Sequence, residues 1–317
     1  MAEGPAGALP DMALTRLAPA KINLALHVVG QRADGYHLLE SIVTFADAGD
    51  RVGVTPAEAD RFTVSGPFAS LVPLGAAGVE GNLVLKARDG LRALAAGHGL
   101  PAGPVHLHLA KNLPVQSGIG GGSADAAAAL ALLWDLWGLG RHFAIPSAAS
   151  HPDMAALALS LGADVPMCLS GVPALITGIG EGITPLPDLP GLSVLLVNPL
   201  VGVSTPAIFR RLSDKNNPPL VMPSAAAGAS DWLAALAGMR NDLEPPARAL
   251  EPVIDTVLAA LAAAGARLVR MSGSGATCFG IFEDDHARDR AAARFAADFP
   301  SWYVQPCHTK GTGHAPA

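Results

Sequence analysis

LPVQSGIGGGSADAAAALALL, residues 113–133, decides how this chain is read. It passes Pro114, then Gly118, Gly120, Gly121 and Gly122, and turns into an alanine- and leucine-rich run. Glycines tolerate positive φ and let another group approach the backbone closely. Ser123 and Asp125 are both N-cap candidates for the run that follows. Residues 126–134 have no polar face, so the helix is expected to be buried. A glycine turn feeding a helix N-terminus offers unpaired N–H groups and about half a positive charge, which suits a phosphate. The plainer alternative is a tight turn with no ligand. No Gly-Lys-Ser or Gly-Lys-Thr occurs in the chain, so this is not the common P-loop. Gly118-x-Gly120 fits half of a dinucleotide fingerprint, but Ser123 stands where the third glycine or alanine belongs.

Composition narrows the class. With 317 residues, half of them hydrophobic, the chain can bury a core in each of two domains. A formal charge of −6 with no long basic run argues against a nucleic-acid surface. Cys168, Cys278 and Cys307 are widely spaced, and neither CxxC nor HExxH occurs, which argues against a zinc site or a disulfide framework. No apolar stretch approaches a membrane span. Residues 1–12, MAEGPAGALPDM, lack a basic n-region and an apolar h-region and read as a loose tail, not a signal peptide. A reduced, cytoplasmic setting is expected, with no membrane and no nucleic-acid partner.

Outward from the glycine stretch, alternation predicts a strand over 17–29, with Lys21, Asn23, Ala25 and His27 on one face. Asp34-Gly35 marks a turn directly before Tyr36 and His37. Further strands are expected over 41–45, 51–55, 61–65 and 104–109, and an Asn82-capped helix over 83–96. Pro152 opens a helix ending near Leu161, which leaves Asp164 in the following turn ahead of Pro166. The second half predicts strands over 193–197, 267–271, 277–282 and 302–305, with helices over 231–236, from Pro252 to Gly265, and over 285–299. That β-α-β-β-α-β order predicts a ferredoxin-like α+β domain. Residues 216–227, rich in Pro and Ala, read as a mobile loop. His106 and His108 share a strand face; with no third ligand nearby in sequence, a solvated face is the better reading than a metal site.

Three motifs stand in one order: PAKINLAL at 19–26, PVQSGIGGGSADAA at 114–127 and MSGSGATCFG at 271–280. Together they resemble the GHMP kinase superfamily. GQRADGYHLLES at 30–41, LGADVPMCL at 161–169 and VSTPAIF at 203–209 narrow the resemblance. They are similar to the branch that phosphorylates a cytidine diphosphate alcohol on the non-mevalonate route to isoprenoid precursors.

The resemblance implies a two-domain fold. Residues 12–178 would form an N-terminal ribosomal-protein-S5-like α/β domain and residues 179–310 a C-terminal ferredoxin-like domain. It implies ATP and Mg2+ as cofactors and a small-molecule alcohol as partner. The ATP-binding segment maps to Pro114, Val115, Gln116, Ser117, Gly118, Ile119, Gly120, Gly121, Gly122, Ser123 and Ala124. The catalytic pair maps to Lys21 and Asp164. Cytosine recognition maps to His37, with Tyr36 and Phe209 as stacking aromatics, and Asn23 falls beside the substrate. The metal ligands stay open, with the Ser123 hydroxyl as a candidate. One departure is Gln116, where many members carry a small residue.

Each role has a plainer rival. A lysine on a strand is usually solvated, a turn aspartate commonly bonds its own backbone, and the bland reading makes Tyr36 and Phe209 core residues, although the place of Tyr36 beside a turn favours exposure. The rival functions are another GHMP kinase of homoserine or mevalonate type, and a nucleotide-binding module without catalysis. The Gly-Tyr-His segment argues against the first, and retention of Lys21 and Asp164 against the second.

Overall fold

A computed structural model describes residues 11–74, 81–143, 145, 147–224 and 227–311. The expected N-terminal tail lies almost wholly outside them. In chain order come β1 (Leu14–Gln31), β2 (His37–Pro56), β3 (Arg61–Ser65), α1 (Leu83–Gly97), β4 (Val105–Ala110), α2 (Gly121–Leu136) and α3 (Leu139–Phe143). Next are α4 (Pro152–Leu161), α5 (Val165–Ser170), β5 (Ala174–Gly178), β6 (Gly182–Pro185), β7 (Ser193–Asn198) and α6 (Thr205–Arg210). The chain finishes with α7 (Ala229–Gly238), α8 (Glu244–Leu250), α9 (Val253–Ala263), β8 (Leu268–Met271), β9 (Cys278–Phe282), α10 (Asp285–Asp298) and β10 (Tyr303–His308).

These elements form two compact units. The first takes residues 1–20, 49–115 and 120–171; the second takes 21–48, 116–119 and 172–317. In the first, the end of β2 pairs antiparallel with β4, and β3 pairs parallel with β4. Helix α2 is the centre of its helical layer. Every residue from Ala124 to Trp134 is buried, as the missing polar face predicts, and α1 and α5 pack on it. The Asn82 cap of α1 is present: its side chain accepts from the Val84 and Leu85 amides.

In the second unit the start of β2 pairs antiparallel with β5, and β5 with β6. A four-stranded antiparallel sheet runs in the order β10-β7-β9-β8. Numbered along its own strands, that order is 4-1-3-2, the ferredoxin-like arrangement the sequence predicts. Helices α9 and α10 cover this sheet. Its core includes Leu195, Val197, Ile254, Val257, Leu261, Phe282 and Phe295.

Two expectations need correction. The strands expected at 41–45 and 51–55 are one continuous β2. Gly49 does not break it. A Cβ there would lie 2.1 Å from the Ala18 carbonyl oxygen, so the glycine serves a close backbone approach, not a turn. The loop expected to be mobile over 216–227 is tied down where it is described. Asn217 N donates to Val28 O at 3.1 Å and Leu220 N to Glu40 Oε2 at 2.8 Å; residues 225–226 lie outside the description.

Candidate active site

In the second unit three separate stretches meet. Lys21 is 6% exposed and its Nζ donates to Asn23 Oδ1 at 3.1 Å. The Lys21 amide donates to Ile119 O at 2.9 Å, which ties the first motif to the glycine stretch. Asn23 N donates to Ser272 Oγ at 3.1 Å, and Ser272 Oγ donates to Gly118 O at 3.2 Å, so one serine links all three motifs. Thr277 N also donates to Ser117 O at 3.2 Å. The contact is backbone on backbone. A Cβ on Gly118 would lie 2.6 Å from both Gly275 N and Ser272 O, and one on Gly273 would lie 2.8 Å from Gly118 O. Gln116 stands at φ +52, a conformation that glycine reaches without strain and glutamine does not.

The residues assigned to base recognition lie in the same unit. The Asp34-Gly35 turn forms, with Gly35 at φ +92. Tyr36 follows it at 61% exposure, which sets aside the core reading for this ring. His37 stacks on Phe209 with centroids 4.7 Å apart and planes at 25°. Phe209 thus has a histidine on one face. Burial first, and the Lys215 charge second, push the His37 ring below the ordinary histidine pKa, which favours its neutral form. Its Nε2 is buried with no hydrogen-bond partner among the described residues. A buried polar atom without a partner calls for an explanation, and a ligand edge supplies one. Helix α6, which carries Phe209, is joined to the third motif by the Thr205 and Ser274 hydroxyls at 2.8 Å.

In the first unit the glycine stretch opens α2. Neither Ser123 nor Asp125 is its N-cap. Gly120 holds that position at φ +65, and the helix begins at Gly121. Glycine reaches the left-handed region at no steric cost, while Asp125 is engaged elsewhere. The first intrahelical bond runs from Ala124 N to Gly120 O, so the amides of Gly121, Gly122 and Ser123 have no carbonyl within the helix.

Beneath this turn is a buried cluster that the sequence alone did not single out. Lys111 Nζ donates to Asp50 Oδ2 and, at 2.8 Å, to Asp125 Oδ2. Asp50 Oδ1 also accepts from the amides of Asn112 at 2.6 Å and Leu113 at 2.8 Å. A Cβ on Gly121 would lie 3.1 Å from Lys111 Nζ, so the start of α2 rests on this cluster. Burial raises the Asp125 carboxyl well above its ordinary range, against the pull of Lys111 and with the push of Asp50. Burial also opposes the Lys111 charge, but Asp125 and Asp50 outweigh it and the net shift is upward. The signal in the sequence was thin: Lys111 is one of five lysines and directly precedes the glycine stretch.

The two acids therefore differ. Asp50→Asn keeps one oxygen for the Asn112 and Leu113 amides but sets an NH2 group where Lys111 donates, and is expected to cost ~3–5 kcal/mol, as for breaking a buried ion pair. Asp125→Asn replaces a carboxyl already driven toward neutrality and is expected to cost distinctly less. Urea unfolding of the two variants measures this, and equal losses would mean that Asp125 carries a full charge.

Asp164 precedes α5, with Pro166 in the first turn. It is half-buried, and its side chain makes no capping bond to that helix. His106 and His108 are engaged by hydroxyls: Thr63 Oγ1 lies 2.7 Å from His106 Nε2 and 2.8 Å from His108 Nδ1, and Ser65 Oγ 2.9 Å from His108 Nε2. Among the described residues no cluster of three or more His, Cys, Asp or Glu could hold a metal ion, and no helix is long and apolar enough to cross a membrane. The three cysteines are buried and no disulfide joins them.

Comparison with known proteins agrees with this arrangement. Residues 82–172 match the GHMP kinases N terminal domain and residues 221–301 the GHMP kinases C terminal model. The chain is 63% identical over 306 residues to a Rhizobium meliloti protein named 4-diphosphocytidyl-2-C-methyl-D-erythritol kinase, covering 96% of this chain and 98% of that relative. A crystal structure of 4-(cytidine 5'-diphospho)-2C-methyl-D-erythritol kinase superposes with a TM-score of 0.72 at 34% identity, covering 94% of this chain and all of that one. A homoserine kinase from Cytophaga hutchinsonii, with a TM-score of 0.63 at 18% identity and coverage of 96% and 98%, shares the fold.

Proposed function

The chain belongs to the GHMP kinase family, and on that premise we propose that it transfers the γ-phosphoryl group of ATP to the 2-hydroxyl of 4-diphosphocytidyl-2-C-methyl-D-erythritol. The observation that carries this reading is the His37–Phe209 pair with its unpartnered Nε2, set in the same unit as Lys21 and residues 116–119 of the glycine stretch. A phosphate site alone would serve any member of the family; a flat-base site beside a Gly-Tyr-His turn suits a cytidine diphosphate substrate.

The roles follow from the chemistry of phosphoryl transfer, which needs alignment, charge neutralisation and removal of the hydroxyl proton. The amides of Gly121, Gly122 and Ser123 and the N-terminal end of α2 hold phosphate oxygens. Asp164 accepts the 2-hydroxyl proton as the oxygen attacks the γ-phosphorus. The bond to the β-phosphate oxygen breaks and ADP leaves, with no covalent enzyme intermediate. Lys21 stabilises the negative charge that develops on the transferring group. His37 bonds the cytosine edge, Phe209 and Tyr36 flank its faces, and Asn23 lies beside the alcohol. The Ser123 hydroxyl, on the first turn of α2, would be this chain's own contact to a magnesium ion, which would supply charge neutralisation at the phosphates. A cytoplasmic setting suits a soluble metabolite and ATP.

The test is the position of the new bond. Phosphorus NMR of the product is expected to show a phosphomonoester on the 2-carbon alongside the intact diphosphate; a phosphate elsewhere on the molecule overturns the assignment. A second result is expected at Tyr36. Tyr36→Ala should weaken the alcohol by ~5–150-fold, the equivalent of ~1–3 kcal/mol of base stacking, and leave ATP affinity unchanged. Titration of both ligands decides it, and equal losses would contradict a stacking role.

A further inference from the structure

We propose that Ser41 is a positioning residue for the Lys21 ammonium, acting through the carboxamide of Asn23; the inference rests on the role given to Lys21 above. Lys21, Asn23 and Ser41 are 6%, 4% and 3% exposed on the paired strands β1 and β2. The Asn23 carboxamide has two unlike ends. Oδ1 accepts from Lys21 Nζ at 3.1 Å, and Nδ2 donates to Ser41 Oγ at 2.8 Å. A carboxamide can turn over and exchange those ends at little internal cost, so its neighbours decide which end faces the ammonium.

Ser41 makes that choice. A hydroxyl has one proton, and Ser41 Oγ donates it to Ala25 O at 2.6 Å. Toward Asn23 the oxygen is then left only as an acceptor. It selects the NH2 end of the carboxamide and turns the carbonyl end toward Lys21. The reversed carboxamide would set NH2 against an ammonium and a carbonyl oxygen against an oxygen with no proton to give. Both contacts are buried, where mismatched polar groups cost most. The backbone of Asn23 is held separately, by its amide on Ser272 Oγ, so the side-chain torsions are the freedom that Ser41 removes.

This role differs from simple packing between two strands in what each substitution does. Ser41→Ala removes the acceptor. Ser41→Cys fills the space with a poor acceptor. Ser41→Thr keeps the hydroxyl. Losing one net hydrogen bond to a mobile carboxamide is expected to lower kcat by ~10-fold in Ser41→Ala and Ser41→Cys alike. KM for ATP and for the alcohol should stay within about twofold, and Ser41→Thr should restore most of kcat. A second readout needs no turnover: in protein labelled with nitrogen-15 at asparagine, the Asn23 carboxamide protons should exchange with solvent markedly faster in Ser41→Ala than in the parent chain.

Unchanged kcat in Ser41→Ala overturns the proposal. So does a Ser41→Cys variant as active as the parent, or a loss shared by kcat, both KM values and the melting temperature. If the parent chain does not phosphorylate the alcohol at all, the proposed function fails first. The exchange measurement then still decides whether Ser41 holds Asn23, and unchanged exchange overturns that as well.

Discussion

Asp164→Asn is expected to bind ATP as the parent chain does and to turn over at least ~10²-fold more slowly, the scale of losing a general base. The substitution keeps the size and shape of the side chain and removes its ability to take a proton. Asp164 stands before α5 without capping it, so the loss should not arrive through the helix. The split is therefore diagnostic: kcat falls, the ATP dissociation constant holds and the melting temperature moves little. Steady-state kinetics with nucleotide titration measure all of it. Turnover within a few-fold of the parent would remove Asp164 from the base role and leave Lys21 to act by charge alone.

Gly118→Ala is expected to disable nucleotide binding and to lower stability together. Gly118 stands at φ +76, where an L side chain costs ~1–2 kcal/mol. The added Cβ would also meet Gly275 N and Ser272 O at 2.6 Å, both backbone atoms that cannot step aside alone. Forcing atoms into a packed site adds ~1–3 kcal/mol. The turn and the third motif would have to part, which would disturb the Ser272 bonds to Asn23 and Gly118. Thermal unfolding and ATP titration of the variant read both effects. Normal ATP affinity with an unchanged melting temperature would show that the close contact between these motifs is dispensable.

How much of this was legible beforehand follows from how local each signal is. The burial of α2 could be read because Ala126 to Trp134 carry no polar residue, and the Asn82 cap because it acts within one turn. The ferredoxin-like order could be read because each strand and helix has its own periodicity. The two halves of β2 could not be joined from the sequence because the reason for Gly49 lies on another strand: nothing near it in sequence announces the Ala18 carbonyl. The cap of α2 was misplaced for a similar cause. Ser123 and Asp125 have capping side chains, but Lys111 claims Asp125, and Gly120 takes the left-handed turn.

The short elements β5, β6, α6 and α8 left too little periodicity to detect. Within the candidate site, motif residues were found because their types are scarce or chemically distinctive. Ser41 and Asp50 escaped because a serine on a strand or an aspartate in a run of strand residues has no local mark. Their meaning lies in partners 16 to 63 positions away.

The most direct measurement is ADP release with ATP and magnesium, offering the chain 4-diphosphocytidyl-2-C-methyl-D-erythritol, homoserine and mevalonate in separate reactions. ADP release that depends on the cytidine diphosphate alcohol, with neither of the others above background, is the predicted result. Release driven by homoserine or mevalonate alone would contradict it.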